Sequence, residues 1–193
     1  MIRGPEVRLP TAHGEMTAIA YSSSVDGETH LAVLAGKPSG KHDVLVRVHS
    51  ECLTGDVFAS RRCDCGEQID MALGRIAAEG EGIVVYLRGH EGRGIGIASK
   101  MQAYELQEQG LDTLDANLEL GLPVDSRDYG IGARMLADLG ITTVRLMTNN
   151  PAKVAAMQAL GLEVVEQVPL LTEPNDENAA YLKAKRERMG HLL

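Results

Sequence analysis

Apolar and polar positions along the first fifty residues alternate in the manner of β-strands. Glu6–Thr11 and Glu15–Ser22 flank a His13-Gly14 turn and predict a hairpin, and Pro10 suits an edge strand because it cannot donate to a ladder. Leu31–Ala35 and Val44–His49 are two further short apolar runs, parted by Gly36, Pro38 and Gly40. Beyond Cys65 the period changes. Ile69, Ala72, Leu73, Ile76 and Ala77 follow the spacing of a helix buried on one face, stopped by Gly80 and Gly82. Gly82–Leu87 (GIVVYL) is a continuous apolar strand of the kind buried on both faces.

A glycine-rich turn at Gly89–Gly96 follows, then a helical stretch over Ala98–Gln109. Arg127–Leu139 predicts a helix closed by Gly140, Val144–Met147 a strand, and Pro151–Leu160 a helix closed by Gly161. Leu162–Val168 reads as a strand and Asn178–Arg188 as a terminal helix. Strands alternating with helices from Gly82 onward argue for a parallel sheet covered by helices, with the β-rich part beside it. The expected fold class is therefore α/β: a mixed sheet with covering helices, preceded by an N-terminal antiparallel β portion. One domain over 1–193 is expected, β-rich through 1–50 and α/β through 51–193, where the candidate chemistry lies.

Composition narrows the picture. With no Trp and one Phe the core must be aliphatic. A formal charge of −8 argues against non-specific binding of nucleic acid or of an anionic membrane, which needs a basic face. Yet 13 of the 19 cations are Arg, the side chain suited to forked recognition of phosphate. No basic segment followed by an apolar run opens the chain and no stretch nears 18 apolar residues, so a soluble cytoplasmic protein is expected.

Three segments carry candidate chemistry. Cys52, Cys63 and Cys65 form a Cys-x10-Cys-x-Cys arrangement, an odd count that makes a poor disulfide framework. Thiolates at i and i+2 converge at a turn, and three such ligands leave zinc an open position. Closure by His49 into a structural site, a thiol redox pair and inert buried cysteines are the alternatives. Glu91-Gly92-Arg93-Gly94 lies between a buried strand and a helix, where backbone approaches a ligand closely, and an ordinary tight turn reads equally well. Thr148-Asn149-Asn150-Pro151-Ala152-Lys153 opens a helix after a strand, as an anion site or as plain capping. Asp125 and Arg127 stand before a predicted helix, where a cap and a surface charge would also explain them.

Taken together, the ordered set Arg47-Val-His-Ser-Glu-Cys-Leu-Thr-Gly-Asp56, Arg62-Cys-Asp-Cys-Gly66, Glu91-Gly-Arg93, Asp125-Ser-Arg127 and Thr148-Asn-Asn-Pro-Ala-Lys153 resembles GTP cyclohydrolase II, from about residue 41 to the closing Met189-Gly-His-Leu-Leu193. That resemblance implies hydrolysis of GTP to 2,5-diamino-6-(5-phosphoribosylamino)pyrimidin-4(3H)-one with release of formate and pyrophosphate, the first step of riboflavin biosynthesis. It implies one catalytic zinc on Cys52, Cys63 and Cys65, magnesium with the GTP phosphates, and a homodimer. Arg47, Val48, His49, Ser50 and Glu51 would line the GTP site, Gln68 would read the guanine edge, and Glu91, Gly92, Arg93, Thr113, Thr148 and Lys153 would complete it. The resemblance assigns Asp125 as proton acceptor and Arg127 as nucleophile, with Tyr104 near the base. Guanidinium stays protonated to about pH 12, so electrostatic stabilisation of the α-phosphate is the competing role for Arg127.

Overall fold

A computed structural model describes residues 1–123 and 125–193. Its seven strands are β1 (Ile2–Thr11), β2 (Gly14–Ser22), β3 (Thr29–Ala35), β4 (Val44–Ser50), β5 (Gly82–Leu87), β6 (Thr143–Met147) and β7 (Glu163–Val168). They form one sheet in the order β1-β2-β3-β5-β4-β6-β7. Strands β1, β2 and β3 pair antiparallel with one another, and β3 pairs antiparallel with β5. The β5–β4, β4–β6 and β6–β7 pairs are parallel. The N-terminal strands thus continue the parallel sheet rather than standing beside it, because β3 supplies the ladder that β5 needs on its free side.

The helices are α1 (Leu53–Asp56), α2 (Cys65–Glu79), α3 (Glu91–Gly94), α4 (Gly96–Glu108), α5 (Thr113–Glu119), α6 (Gly130–Asp138), α7 (Pro151–Ala159) and α8 (Ala179–Met189). Two apolar clusters hold the layers together. One joins Val44, Val46 and Val48 of β4 and Ile83, Val85 and Leu87 of β5 to Met135, Leu136 and Met157 of α6 and α7. The other joins Leu45 and Val84, on the opposite face, to Ala72 and Ile76 of α2. Helices therefore cover both faces, and the apolar stripe read from Ala72 and Ile76 is the buried face of α2.

The helix expected from Arg127 begins instead at Gly130. Asp128 turns the chain just before it, its Oδ1 accepting the Gly130 N–H at 2.7 Å. Helices α1, α3 and α5 were not anticipated, being four, four and seven residues long. In α5, Asp112 caps the first turn by accepting from Leu114 N and Asp115 N.

Strand alternation decides what reaches the sheet's carboxyl edge. Even positions of β4 bury Val44, Val46 and Val48 beneath α6 and α7. Odd positions continue from Leu45 to Arg47 and His49 on the α2 face. The carboxyl ends of β4, β5 and β6 lead into Glu51–Cys52, Arg88–Gly96 and Thr148–Lys153, the three segments that carried the sequence motifs.

Candidate active site

An open cleft lies at this edge, lined by Arg47, Cys52, Cys63, Gln68, Arg93 and Lys153 among others. Its floor is sulfur. Cys52 precedes α1, Cys63 and Cys65 lie at the start of α2, and their three Sγ atoms all fall within 4.8 Å of one another. Cys52 and Cys63 sulfurs are 3.7 Å apart, against the about 3.8 Å that two ligands on a tetrahedral zinc require with 2.3 Å bonds. The donor set therefore fits zinc, with three ligands and a fourth direction left for chemistry. Gly55 and Gly66 make the approach possible. A Cβ on Gly66 would stand 2.3 Å from the Gly55 carbonyl oxygen, and one on Gly55 would stand 3.0 Å from Cys63 Sγ.

The thiols do not share charge equally. Hydrogen bonds from Cys63 and Cys65 lower the Cys52 thiol despite burial, and Lys100 nearby adds to the effect. The bond with Cys52, joined by burial, pushes Cys63 up to about 11, and the bonds with both partners raise Cys65. Lys100 donates to Cys52 Sγ at 3.2 Å, to Thr54 Oγ1 at 2.9 Å and to Glu91 Oε1 at 2.5 Å. Burial would discharge Lys100, but Cys52 and Glu91 more than offset it and raise its pKa.

Asp56 is the hub on the β side. Its carboxylate accepts from His49 Nε2 at 3.0 Å, the Cys52 backbone N–H at 2.9 Å and the Tyr86 hydroxyl at 2.8 Å. Burial lowers the His49 pKa against the pull of Asp56, so the imidazole is neutral with its proton on Nε2. Because His49 Nε2 is taken by Asp56, that nitrogen is not a fourth ligand beside the thiols, and Nδ1 is buried without a partner among the described residues.

A second chain of bonds runs beneath the cleft. Lys185 donates to Asp64 Oδ1 at 2.7 Å, Gln68 donates to Asp64 Oδ2 at 2.6 Å, and Arg47 donates to Gln68 Oε1 at 2.7 Å and to the Met147 carbonyl at 3.0 Å. Asp64 sits between two of the thiols and is fully buried, so this chain fixes the thiol loop as well as Gln68.

The remaining residues close the walls. Ser50 meets His90 Nδ1 at 3.2 Å, and Glu51 accepts from the Gly89 N–H at 2.9 Å. Arg93 adopts a left-handed conformation, φ +65°, uncommon outside glycine, with its carbonyl held by the Ser126 N–H at 3.0 Å. That turn buries Arg93 NH1 with no partner among the described residues, a donor in search of an acceptor. Glycine is required at Gly92 and Gly94, where a Cβ would lie 2.7 Å from Ile95 Cγ1 and 2.4 Å from Ser126 Oγ. Thr113 opens α5 and Thr148 follows β6, both on the cleft wall. Tyr104 lines it too, with Arg62 stacked 4.6 Å above its ring and paired to Glu108.

Not every residue implied by the resemblance faces the cleft. Val48 points into the core, as its even position on β4 demands, and only its carbonyl takes part, accepting from Lys153 Nζ at 2.8 Å. Glu91 is buried below the wall, its Oε2 accepting the Leu53 N–H at 2.6 Å while Oε1 holds Lys100. Asp125 is exposed and takes the Arg127 guanidinium on both oxygens, with Nε to Oδ1 at 2.9 Å. Burial lowers the Arg127 pKa, but that carboxylate outweighs it and keeps the guanidinium charged. Asp125 in turn is held below the usual carboxylate range, the Arg127 guanidinium outweighing its partial desolvation. Asn150 caps α7, accepting from Ala152 N at 3.0 Å, while Lys153 on the next turn lines the cleft. Burial first, then Arg47 and Arg127, drive the Lys153 pKa well below its ordinary value. A polyanion would relieve that crowding.

The GTP cyclohydrolase II family model matches residues 3–169. The chain belongs to this family. Two relatives are the riboflavin biosynthesis protein RibBA of Mycobacteroides abscessus, 58% identical over 97% of this chain, and that of Rhodococcus erythropolis, 57% identical over all of it. In each the match covers 46% of the relative, so the chain spans about half the length of the relatives it resembles. A crystal structure of RibBX, a two-domain 3,4-dihydroxy-2-butanone 4-phosphate synthase from A. baumannii, superposes with a TM-score of 0.50 at 21% identity, over 89% of this chain and 40% of that one. At that identity the likeness concerns the fold alone. Asp56 and Asp64 fall inside the quoted motifs without an assigned role, and Lys100 and Lys185 gave no sequence signal. Their roles come from partners far along the chain, 48 residues away for Lys100 and Cys52 and 121 for Lys185 and Asp64.

Proposed function

We propose that this chain is a zinc-dependent GTP cyclohydrolase II, opening the imidazole ring of guanine in GTP and releasing formate and pyrophosphate at the entry to riboflavin biosynthesis. The observation that carries the reading is one cleft in which three convergent thiols lie beside crowded cations, with a buried Arg93 NH1 left unpartnered among the described residues. Cys52, Cys63 and Cys65 would hold zinc, which would supply Lewis acidity toward water beside an electron-poor ring carbon.

The chain's own residues bind and orient. Arg93, Arg127 and Lys153 meet the triphosphate, whose about four charges also carry magnesium. Gln68, oriented by Asp64 and Arg47, turns its remaining amide hydrogen and lone pair to the guanine edge. Lys100 steadies the Cys52 thiolate, and Glu91 holds Lys100 in turn. Tyr104 stands over the ring-opening end. Arg127, charged and gripped by Asp125, acts as a fixed cation at the α-phosphate when pyrophosphate leaves. Asp125, lowered by the same pair, is a weak base until that grip loosens. The enzyme works as a cytoplasmic homodimer, one zinc per chain, with neither nucleic acid nor membrane as partner.

The test is to incubate zinc-loaded protein with GTP and magnesium and quantify formate and pyrophosphate together. Both appear, and Cys63→Ser abolishes formate. Tight GTP binding without either product would overturn the reading.

A further inference from the structure

The family match ends at residue 169, yet the rest of the chain is pinned onto the cleft. Helix α8 buries Leu182, Ala184 and Lys185 against the body. At its end Arg188 pairs with Asp112, the cap of α5, and with Asp115 Oδ1 at 3.0 Å. Gly190 turns the chain in a left-handed conformation, φ +66°, and the Leu192 N–H then bonds the Asn149 carbonyl at 2.8 Å. Each anchor lies next to a cleft residue: Thr113 follows Asp112, and Asn149 follows Thr148.

The same segment sends side chains inward. Tyr181, Lys185 and His191 all line the cleft. Lys185 is held twice, by Asp64 Oδ1 at 2.7 Å and over the Tyr181 ring at 4.6 Å. The His191 imidazole has no hydrogen-bond partner among the described residues. Burial, with Lys185, Arg93 and Arg127 close by, holds its pKa down to about 3, so it enters the cleft neutral among three cations. One carboxylate, Asp64, faces Lys185, and its other oxygen is already taken by Gln68. In the corner between Arg93, Arg127, Lys185 and His191, Asp125 takes Arg127 and Asp64 takes Lys185, while Arg93 NH1 and the His191 imidazole are left without partners among the described residues, which suits a polyphosphate.

We propose that Lys185 and His191 bind the polyphosphate of the nucleotide, with Tyr181 positioning Lys185, so that the site is complete only when the segment after β7 is docked. The proposal deepens the GTP reading and rests on it for the identity of the nucleotide, but the anion pocket is testable by itself. The variants are Lys185→Gln, which keeps a donor for Asp64, His191→Ala, and Lys183→Gln on the exposed side of α8 as control. Calorimetry on the full zinc-loaded chain measures binding of inorganic pyrophosphate and, separately, of guanosine. Loss of one hydrogen bond to a charged ligand weakens pyrophosphate binding about tenfold or more in Lys185→Gln and in His191→Ala. In His191→Ala guanosine binding, zinc content and melting temperature stay as in the unaltered chain; in Lys185→Gln, which also loosens the Asp64–Gln68 chain, pyrophosphate binding falls further than guanosine binding; and Lys183→Gln changes none of them. Unchanged pyrophosphate binding in both inward-facing variants overturns the proposal. So does a parallel loss of pyrophosphate and guanosine, the mark of a residue that only supports the fold. A chain that binds pyrophosphate through these residues but leaves GTP intact would sink the cyclohydrolase reading and spare the anion pocket.

Discussion

Asp56 makes a quantitative test of how the thiol site is held. Its carboxylate, 5% exposed, takes three donors: His49 Nε2, the Cys52 N–H and the Tyr86 hydroxyl, all at 2.8–3.0 Å. Asp56→Ala removes the acceptor and leaves the donors. A buried donor left unpaired costs about 1–3 kcal/mol. Tyr86 is half-buried and regains water, whereas His49 and the Cys52 N–H do not, so the expected loss is about 3–5 kcal/mol, a large share of the about 5–15 kcal/mol of a typical domain. Asp56→Asn keeps one acceptor and a similar shape, and is expected to cost about 1–3 kcal/mol. Since the Cys52 N–H fixes the backbone of a metal ligand, both changes should weaken zinc by about 10–100-fold, the usual toll of losing an outer-shell partner. Urea unfolding of the metal-free proteins by circular dichroism reads the first quantity, and competition with a chromogenic chelator reads the second. If Asp56→Ala unfolds within about 1 kcal/mol of the unaltered chain and holds zinc equally well, the hub is incidental and the reasoning fails.

Other expectations follow from the same geometry. In the metal-free protein Cys52 is the thiolate while Cys63, at about 11, and Cys65 stay protonated at neutral pH, so zinc binding releases two protons and its affinity climbs about 100-fold per pH unit. Calorimetry in buffers of different ionisation enthalpy counts them, and a count of zero or three refutes the assignment. Arg127→Lys keeps the charge and loses the fork that Asp125 grips, so pyrophosphate release should slow about 10–100-fold yet persist. Complete loss of pyrophosphate would instead favour a covalent bond to the guanidinium. Two glycines of α2 should respond with opposite signs. Gly66→Ala drives a Cβ into the Gly55 carbonyl and should strip zinc, whereas Gly74→Ala meets only the His13 ring at 3.4 Å and should stabilise by about 0.5–1 kcal/mol in thermal melts.

Much of this architecture was legible from local pattern. Val44–His49 and Gly82–Leu87 announced themselves as strands because both faces are covered, and Ala72 and Ile76 announced α2 because one face is. Glu6–Thr11 and Glu15–Ser22 read as an edge hairpin, and they are one, with the first strand reaching back to Ile2. Two things escaped. Short helices such as α1 and α5 contain too few turns for a period to register, although Asp112 ahead of Thr113 was a usable cap signal. Strand parity also escaped. The run Arg47–Glu51 read as a contiguous wall, whereas alternation sends Val48 into the core and lets only its carbonyl contribute. The deepest gaps lie in pairs joined only by the fold, Lys100 with Cys52 and Lys185 with Asp64, for which no spacing rule exists.

The gathering of Arg93, Arg127, Lys153 and Lys185 into one pocket of a chain with formal charge −8 has a kinetic consequence. A polyanionic ligand approaching from afar meets a repulsive object, and only within about 8 Å of the cleft, the reach of a charge at physiological ionic strength, does attraction take over. Encounter is then governed by a short inner zone rather than by long-range guidance. Moderate salt, which screens the outer repulsion first, should leave the capture rate nearly flat where a basic protein would show it collapse.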